Sequence, residues 1–146
     1  MQHDPSGLDE TTLGEPALAI AGLRLWIARR DDAVPGRDDE DWLGVTVRAE
    51  APQARVWVSG PIVMAEDLRG LRRDCEALLD GTVPRAVLAP LEPGLRVIIE
   101  PVDPVGHFDV VVAITPDHLR QSHEFRFDID QTEIRALVAQ LRRAVR

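Results

Sequence analysis

Strict alternation of apolar and polar residues runs through the first half of the chain. It is clearest in residues 43–48 and 55–59, and two shorter, mostly apolar segments at 17–20 and 23–27 flank Gly22. A period of two is typical of a strand that buries one face. The pattern therefore predicts a pair of strands at 43–48 and 55–59, preceded by either two short strands or one bent strand.

The hydrophobic period lengthens to three or four residues in two segments, which predicts helices. Residues 65–80 carry an apolar stripe with Gly81 following as the expected C-terminal cap, and residues 131–145 form the closing helix. Between the helices, proline and glycine residues separate further apolar segments. These segments predict strands at 85–89, 95–100, 107–115 and 123–129.

The strands follow one another too closely to be joined by helical crossovers, so their pairing should be mostly antiparallel. The whole pattern predicts an α+β fold, a mostly antiparallel β-sheet with two α-helices packed on one face. A length of 146 residues is typical of one domain. We expect a loose, polar N-terminal tail at 1–16 and a single α+β domain at 17–146.

The stretch FRFDIDQTEIRALVAQLRR, residues 125–143, changes period at a group of acidic residues. With Asp130 as the N-cap of the last helix, Glu133 falls at the third helical position, as in a capping box. Ile129 and Ile134 then take the two positions of a hydrophobic staple. Four residues agree on one local structure, so we interpret Asp130 and Glu133 as a helix cap and not as a catalytic or metal site.

Charge and composition indicate which kinds of partner and which cellular location to expect. The chain carries 25 acidic against 17 basic residues, a net charge of −8, which disfavours binding to nucleic acid or to an anionic membrane and favours a basic protein partner. No apolar segment reaches the length of about 18 residues that a membrane span needs. A single cysteine excludes an internal disulfide, and the polar N-terminus lacks the pattern of a signal peptide, so we expect a cytoplasmic protein.

No combination of side chains in the sequence predicts catalysis. Ser59, in WVSGP, lacks the first glycine of a nucleophile elbow, and Cys75 lies on the apolar stripe of the first predicted helix, where a thiol packs as a small hydrophobic group. His107 and His123 begin neighbouring strands and would have to meet in space, with a third ligand, to form a metal site. The glycines form no phosphate-binding loop. We therefore expect no enzyme activity, no metal and no cofactor.

Two groups of residues are candidates for binding a partner. The first is an acidic run in a segment dense in charge, and its sign is the one that attracts a basic protein. A solvated loop without function is the alternative, whereas the spacing of an EF-hand calcium loop is missing. The run consists of Asp38, Asp39, Glu40 and Asp41.

The second group lies on the side of the sheet that should face away from the helices. The alternation places Trp42 and Trp57 on this side together with Arg48 and Arg55, and tryptophan and arginine are enriched in binding hot spots. The residues EAPQ predict a four-residue hairpin loop, which would place Thr46 opposite Trp57. The alternative is that the N-terminal strands fold over these rings and bury them.

Several short motifs, taken in order along the chain, resemble a bacterial family. They are LRLWIARRD, DWLGVTV, LEPGLRVII, GHFDVVVAI and HEFRFDIDQTEIRALVAQL, spread over about residues 23–145. In this order they are similar to the WapI-type immunity proteins, small cytoplasmic proteins encoded beside contact-dependent or polymorphic toxins. The resemblance implies binding and inhibition of a toxin rather than turnover, and it carries over no catalytic residue.

The leading hypothesis is therefore a non-enzymatic protein-binding domain that neutralises a cognate basic toxin, such as a nuclease with a positive substrate channel. The alternative is a small-ligand-binding or structural domain that uses the face with Trp and Arg or a pocket between helices and sheet. An enzyme is the third class, and the sequence offers no catalytic constellation for it.

Overall fold

The computed structural model describes residues 10–28 and 42–145. Strands make up most of the regular structure in this part of the chain, and α-helices interrupt them. In chain order the elements are α1 (Glu10–Leu13), β1 (Leu18–Ile20), β2 (Leu23–Ile27), β3 (Trp42–Ala51), β4 (Ala54–Met64), α2 (Ala65–Leu79), β5 (Ala86–Leu88), β6 (Leu95–Pro101), β7 (His107–Ile114), β8 (Glu124–Asp130) and α3 (Gln131–Ala144).

The strands form two antiparallel four-stranded sheets, in the orders β1-β2-β3-β4 and β5-β6-β7-β8. The predicted α+β class with antiparallel pairing is confirmed. Each sheet is built from strands that are consecutive in the chain, as is usual for neighbouring strands. Helix α2 separates β4 from β5 and so ends the first sheet, a division that the alternation pattern does not specify.

Helices α2 and α3 pack against each other and bridge the two sheets. Helix α2 contacts β4 and β5, whereas α3 contacts β1 and β8, so each helix touches an edge strand of both sheets. One buried core joins the apolar sides of both sheets and both helices. Its largest fully buried side chains include Leu25, Leu43, Leu68, Leu95, Ile99, Ile114, Ile134 and Leu141.

The two long helices also supply hydrogen-bond acceptors to the sheet edges. The backbone N–H of Ala19 in β1 donates to Gln140 Oε1 of α3 at 2.8 Å. In the second sheet, the N–H of Val87 in β5 donates to Asp74 Oδ2 of α2 at 3.1 Å. Unpaired N–H groups at a sheet edge invite pairing with another chain. These two bonds therefore protect the edges and fix the helices against them.

The β3–β4 hairpin corrects the predicted strand register. The strands are joined by a two-residue turn at 52–53, not by a four-residue loop, because pairing continues almost to the turn. As a result Arg48 lies opposite Trp57, and Thr46 lies opposite Ser59. The prediction of Thr46 opposite Trp57 is wrong by two residues. A register shift of two residues keeps every side chain on its predicted face of the sheet. The error therefore changes which residues lie opposite each other, but not the side to which they point.

Gly22, in the β1–β2 turn, allows the first sheet to approach the second. A Cβ atom at this position would lie 2.0 Å from the carbonyl oxygen of Glu50 and 2.8 Å from the ring of Phe127 in β8. The Gly22 carbonyl also accepts a hydrogen bond from the N–H of Glu50 at 2.9 Å. Only glycine fits such a close approach. The turn is thereby held against both β3 and β8.

Candidate functional site

The outer side of the first sheet carries the predicted tryptophan and arginine residues. Val45, Val47 and Ala49 of β3 are buried, so Thr46 and Arg48, which alternate with them, face away from the core. Strands β2 and β4 continue this face through the paired residues. We call it the Trp–Arg face, and it consists of Arg24, Trp26, Thr46, Arg48, Glu50, Arg55, Trp57 and Ser59.

Two tryptophan rings stack on the Trp–Arg face. Trp26 of β2 and Trp57 of β4 have ring centroids 5.8 Å apart and ring planes at 21°. Trp26 is only 5% exposed, and its Nε1–H donates to the carbonyl of Gly14 at 3.0 Å. Trp57 is half-buried. The Trp26 side chain of β2 therefore packs against the Trp57 ring and covers part of it.

Arg48 is a buried cation at the centre of the Trp–Arg face. It is 8% exposed, and its guanidinium carbon lies 5.9 Å from the centroid of the Trp57 ring. The side chain forms ion pairs with Glu10 of α1 and, at 3.3 Å, with Glu50. A buried charge needs such partners because its desolvation costs several kcal/mol. Arg48 therefore ties α1 to β3.

Arg55 completes a charge network at the hairpin end of this face. Its guanidinium donates a hydrogen bond to Glu50 Oε1 at 3.1 Å. This bond, with a smaller contribution from the charge of Arg48, holds the pKa of Glu50 below its ordinary value. Positive and negative side chains thus alternate from Glu10 through Arg48 and Glu50 to Arg55.

The structure brings together only part of the predicted partner-binding group. Arg48, Arg55 and Trp57 are neighbours, whereas Trp42 begins β3, about 20 Å before Arg48 at roughly 3.3 Å per residue. Trp42 is half-buried and lies opposite Met64. The acidic run at 38–41 lies outside the described residues. Partner binding by either group stays a prediction.

The predicted cap residues lie where the chain enters α3. Asp130 is the N-cap residue, and its Oδ1 accepts hydrogen bonds from the N–H groups of Thr132 at 2.9 Å and Glu133 at 3.2 Å. The Glu133 side chain in turn accepts from the N–H of Asp130 at 2.9 Å. Ile129 and Ile134 are both buried in the core. The carboxylates of Asp130 and Glu133 are therefore engaged with the helix start.

A second charged surface, which the sequence did not reveal, lies on the outer side of the second sheet. In its antiparallel register Glu100 lies opposite Asp109, and Asp109 lies opposite Asp128. We call these three residues the acidic row. Glu100 and Asp128 are exposed, and Asp109 is half-buried. Like charges that lie directly opposite each other destabilise a sheet, so the row costs stability.

A groove of about 450 Å³ adjoins the acidic row and shares Asp128 with it. In this groove His107 Nδ1 lies 2.5 Å from Asp103 Oδ2. The hydrogen bond raises the pKa of His107, with further help from the charges of Asp103 and Asp130, and it lowers the pKa of Asp103. The acidic surface thus extends from the sheet to the start of α3.

His107 and His123 do not meet. Strands β7 and β8 are antiparallel, so the starts of the two strands lie at opposite ends of their ladder. His107 pairs with Asp130 at one end, and the carbonyl of His123 accepts from Ile114 N–H at the other, at 3.1 Å. Within residues 10–28 and 42–145 no group of three His, Cys, Asp or Glu side chains is placed to hold a metal ion. None of the helices in these ranges has the length and apolar character to cross a membrane.

The two candidate nucleophiles lie in unreactive surroundings. Cys75 is fully buried on α2, and burial, assisted by the charges of Asp74 and Glu76, raises the pKa of its thiol to about 12. A thiol with this pKa stays protonated at neutral pH. The hydroxyl of Ser59 lies 3.0 Å from that of Thr46, within hydrogen-bonding distance across the hairpin.

Comparison with known proteins gives a family match. The family model described as the immunity protein WapI-like family matches residues 18–146. The match begins at the first residue of β1 and covers both sheets together with α2 and α3. Searches of curated proteins and of solved structures found no match. Because the family model covers nearly the whole chain, as the order of the sequence motifs predicted, the chain belongs to the WapI-like immunity protein family.

Proposed function

We propose that the chain is a non-enzymatic protein-binding domain that neutralises a cognate toxin in the cytoplasm of the cell that makes it. The family match over residues 18–146 is the observation that carries this proposal. An immunity protein protects its cell when it binds the toxin before the toxin reaches its target. The proposal therefore requires a tight complex between this chain and one toxin domain.

Charge supports a basic toxin as the partner. The chain has a net charge of −8, and the acidic row adds a local group of carboxylates on one face. Complementary charge speeds association and excludes wrong partners. A nuclease fits this requirement, because a channel that binds phosphates must be positive. We propose that the toxin is a nuclease or another protein with a positive patch.

Inhibition by binding, and not by turnover, agrees with the positions of the candidate catalytic groups. Cys75 is buried on α2 and Ser59 lies on β4 of the first sheet, whereas the Asp103–His107 pair lies at the start of β7 in the second sheet. Nucleophilic catalysis needs a nucleophile and its base within hydrogen-bond reach of each other. These groups lie on separate elements and do not form such a pair.

Co-expression with a toxin domain from a neighbouring gene tests the proposal. The toxin domain alone should arrest growth, and co-expression of this chain should restore it. Calorimetric titration of the purified toxin with this chain should then show a saturable complex, whereas a non-cognate toxin of the same activity should show none. If the chain neither restores growth nor binds, the immunity role is wrong, and the small-ligand-binding or structural domain becomes the better hypothesis.

A further inference from the structure

We propose that the outer face of the second sheet is the surface that docks a basic patch of the toxin. This inference rests on the proposed function and adds to it the location and chemistry of the contact. The acidic row crosses the face from β6 through β7 to β8. The partner is a protein that presents lysine or arginine side chains to these three carboxylates.

The first argument is that two of the three carboxylates in the acidic row lack a partner within the described residues. Glu100 forms a long ion pair with Arg85, at 3.9 Å, whereas the side chains of Asp109 and Asp128 form no ion pair or hydrogen bond with any described residue. Cross-strand pairs of like charge cost free energy instead of contributing it. A bound cationic partner would turn this repulsion into attraction.

The second argument is the apolar row beside the carboxylates. Val87, Ile98 and Val111 lie opposite one another on β5, β6 and β7, one position further along the same face, and the row ends on β8 with Arg126, which is paired with Glu124. The three apolar side chains are half-buried and lie outside the buried core of the described chain. Lysine and arginine bury their aliphatic stems on apolar surface while the charged end stays with polar groups. An apolar row next to an acidic row fits that shape of side chain.

The third argument is charge, which favours a basic toxin over a second copy of this chain as the partner of this face. A second copy also carries a net charge of −8 and its own acidic row, so self-association through this face would be opposed by repulsion. The groove beside Asp128 also contains the carboxylates of Asp103, Asp130 and Glu133, of which Asp103 is paired with His107 and the other two cap α3. The surface therefore fits a basic protein better than it fits itself.

The test compares two variants that remove the same number of charges. Asp109→Asn with Asp128→Asn neutralises the two unpaired carboxylates of the acidic row, and Glu15→Gln with Glu92→Gln neutralises two exposed acids outside it. Toxin affinity should fall about tenfold to a hundredfold in the first variant, mainly through slower association at low salt, and should stay near the wild-type value in the second. The unfolding midpoint of the first variant should stay unchanged or rise, because repulsion is relieved.

Val111→Thr is a second variant that keeps the β-branched shape and strand preference while adding a hydroxyl. We expect it to weaken toxin binding several-fold without loss of the folded state. If wild type binds the toxin and the Asp109/Asp128 variant binds equally well, the docking surface is wrong while the proposed function stands. Weaker binding that is matched by an equal loss of unfolding free energy would also overturn it, as would a wild-type dimer that the variant dissociates. Failure of wild type to bind any toxin would remove both proposals.

Discussion

Trp26 stacks on Trp57 across the outer face of the first sheet, with ring centroids 5.8 Å apart. One ring belongs to the N-terminal strand β2 and the other to β4, so the stack spans the intervening strand β3. The guanidinium carbon of Arg48 on β3 lies 5.9 Å from the centroid of the Trp57 ring. The stack therefore joins the N-terminal segment to the β3–β4 hairpin. Its contribution to the fold can be measured separately from any contribution to binding.

Trp57→Ala should lower the free energy of unfolding by about 1–3 kcal/mol, because it removes a half-buried ring together with its stacking on Trp26. A double-mutant cycle with Trp26→Ala should give a coupling energy of about 0.5–1.5 kcal/mol. Trp42→Ala is the matched control, since Trp42 lies at the far end of β3 and should show no coupling to Trp26. If Trp57→Ala leaves stability unchanged but abolishes toxin binding, the ring acts at the interface and not in the fold.

Asp130→Ala should lower the free energy of unfolding by about 0.5–2 kcal/mol through loss of the helix N-cap. Asp128→Ala, two residues earlier on the same exposed face, should not lower it, because the Asp128 side chain has no bonding partner among the described residues. Denaturant unfolding of both variants measures the difference. Equal losses at the two positions would contradict the capping role of Asp130.

The Asp130 cap also predicts a dependence on pH. Hydrogen bonds from the Thr132 hydroxyl and the Glu133 N–H hold the pKa of Asp130 below its ordinary value. A lowered carboxyl pKa stabilises the fold fully above the ordinary pKa, and this contribution is lost as the pH falls through the lowered one. The stability difference between wild type and Asp130→Asn should therefore shrink in acid.

His107 should titrate above its ordinary pKa because Asp103 accepts its hydrogen bond and adds a negative charge. A raised histidine pKa stabilises the fold fully below the ordinary value of 6.5, and this contribution is lost as the pH rises through the raised value. NMR titration of the His107 ring measures the shift directly. Asp103→Asn should lower the pKa of His107, whereas Asp117→Asn, in the β7–β8 link, should leave it unchanged. An equal effect of both substitutions would contradict the pairing.

Cys75 should react slowly with a thiol reagent in the native protein and quickly after denaturation. Its side chain is fully buried, and burial raises the pKa of the thiol to about 12, so the reactive thiolate is scarce. Absorbance of the released chromophore follows the reaction with and without denaturant. Rapid labelling of folded protein would place Cys75 at the surface and reopen its role as a nucleophile.

The helices were predictable because their signals are local. Helix α2 at 65–79 and α3 at 131–144 match the predicted 65–80 and 131–145 closely, since an apolar stripe and a capping pattern lie within each segment. Helix α1 lies inside the predicted polar tail. Its four residues ETTL carry no apolar stripe, and its ion pair from Glu10 to Arg48 spans 38 residues. No local pattern encodes such a contact.

For the candidate surfaces, the sequence predicts which face of a strand each side chain lies on, but not which residues are its neighbours on the adjacent strands. Alternation placed Arg48 and Trp57 on one face, which holds whatever the register. The stacking of Trp26 depends on how β2 pairs with β3, and the acidic row depends on the register of β6 with β7 and of β7 with β8. These registers are set by turns and by packing between distant segments. Sequence alternation alone does not fix them.

The stoichiometry of inhibition distinguishes neutralisation by binding from neutralisation by turnover. A fixed amount of the cognate toxin is mixed with increasing amounts of this chain, and the remaining toxin activity is measured after short and long incubation. Neutralisation by tight binding predicts a linear loss of activity that ends at a fixed ratio of chain to toxin, independent of time. Progressive loss of toxin activity at amounts of chain far below that of the toxin would reveal turnover and contradict inhibition by binding.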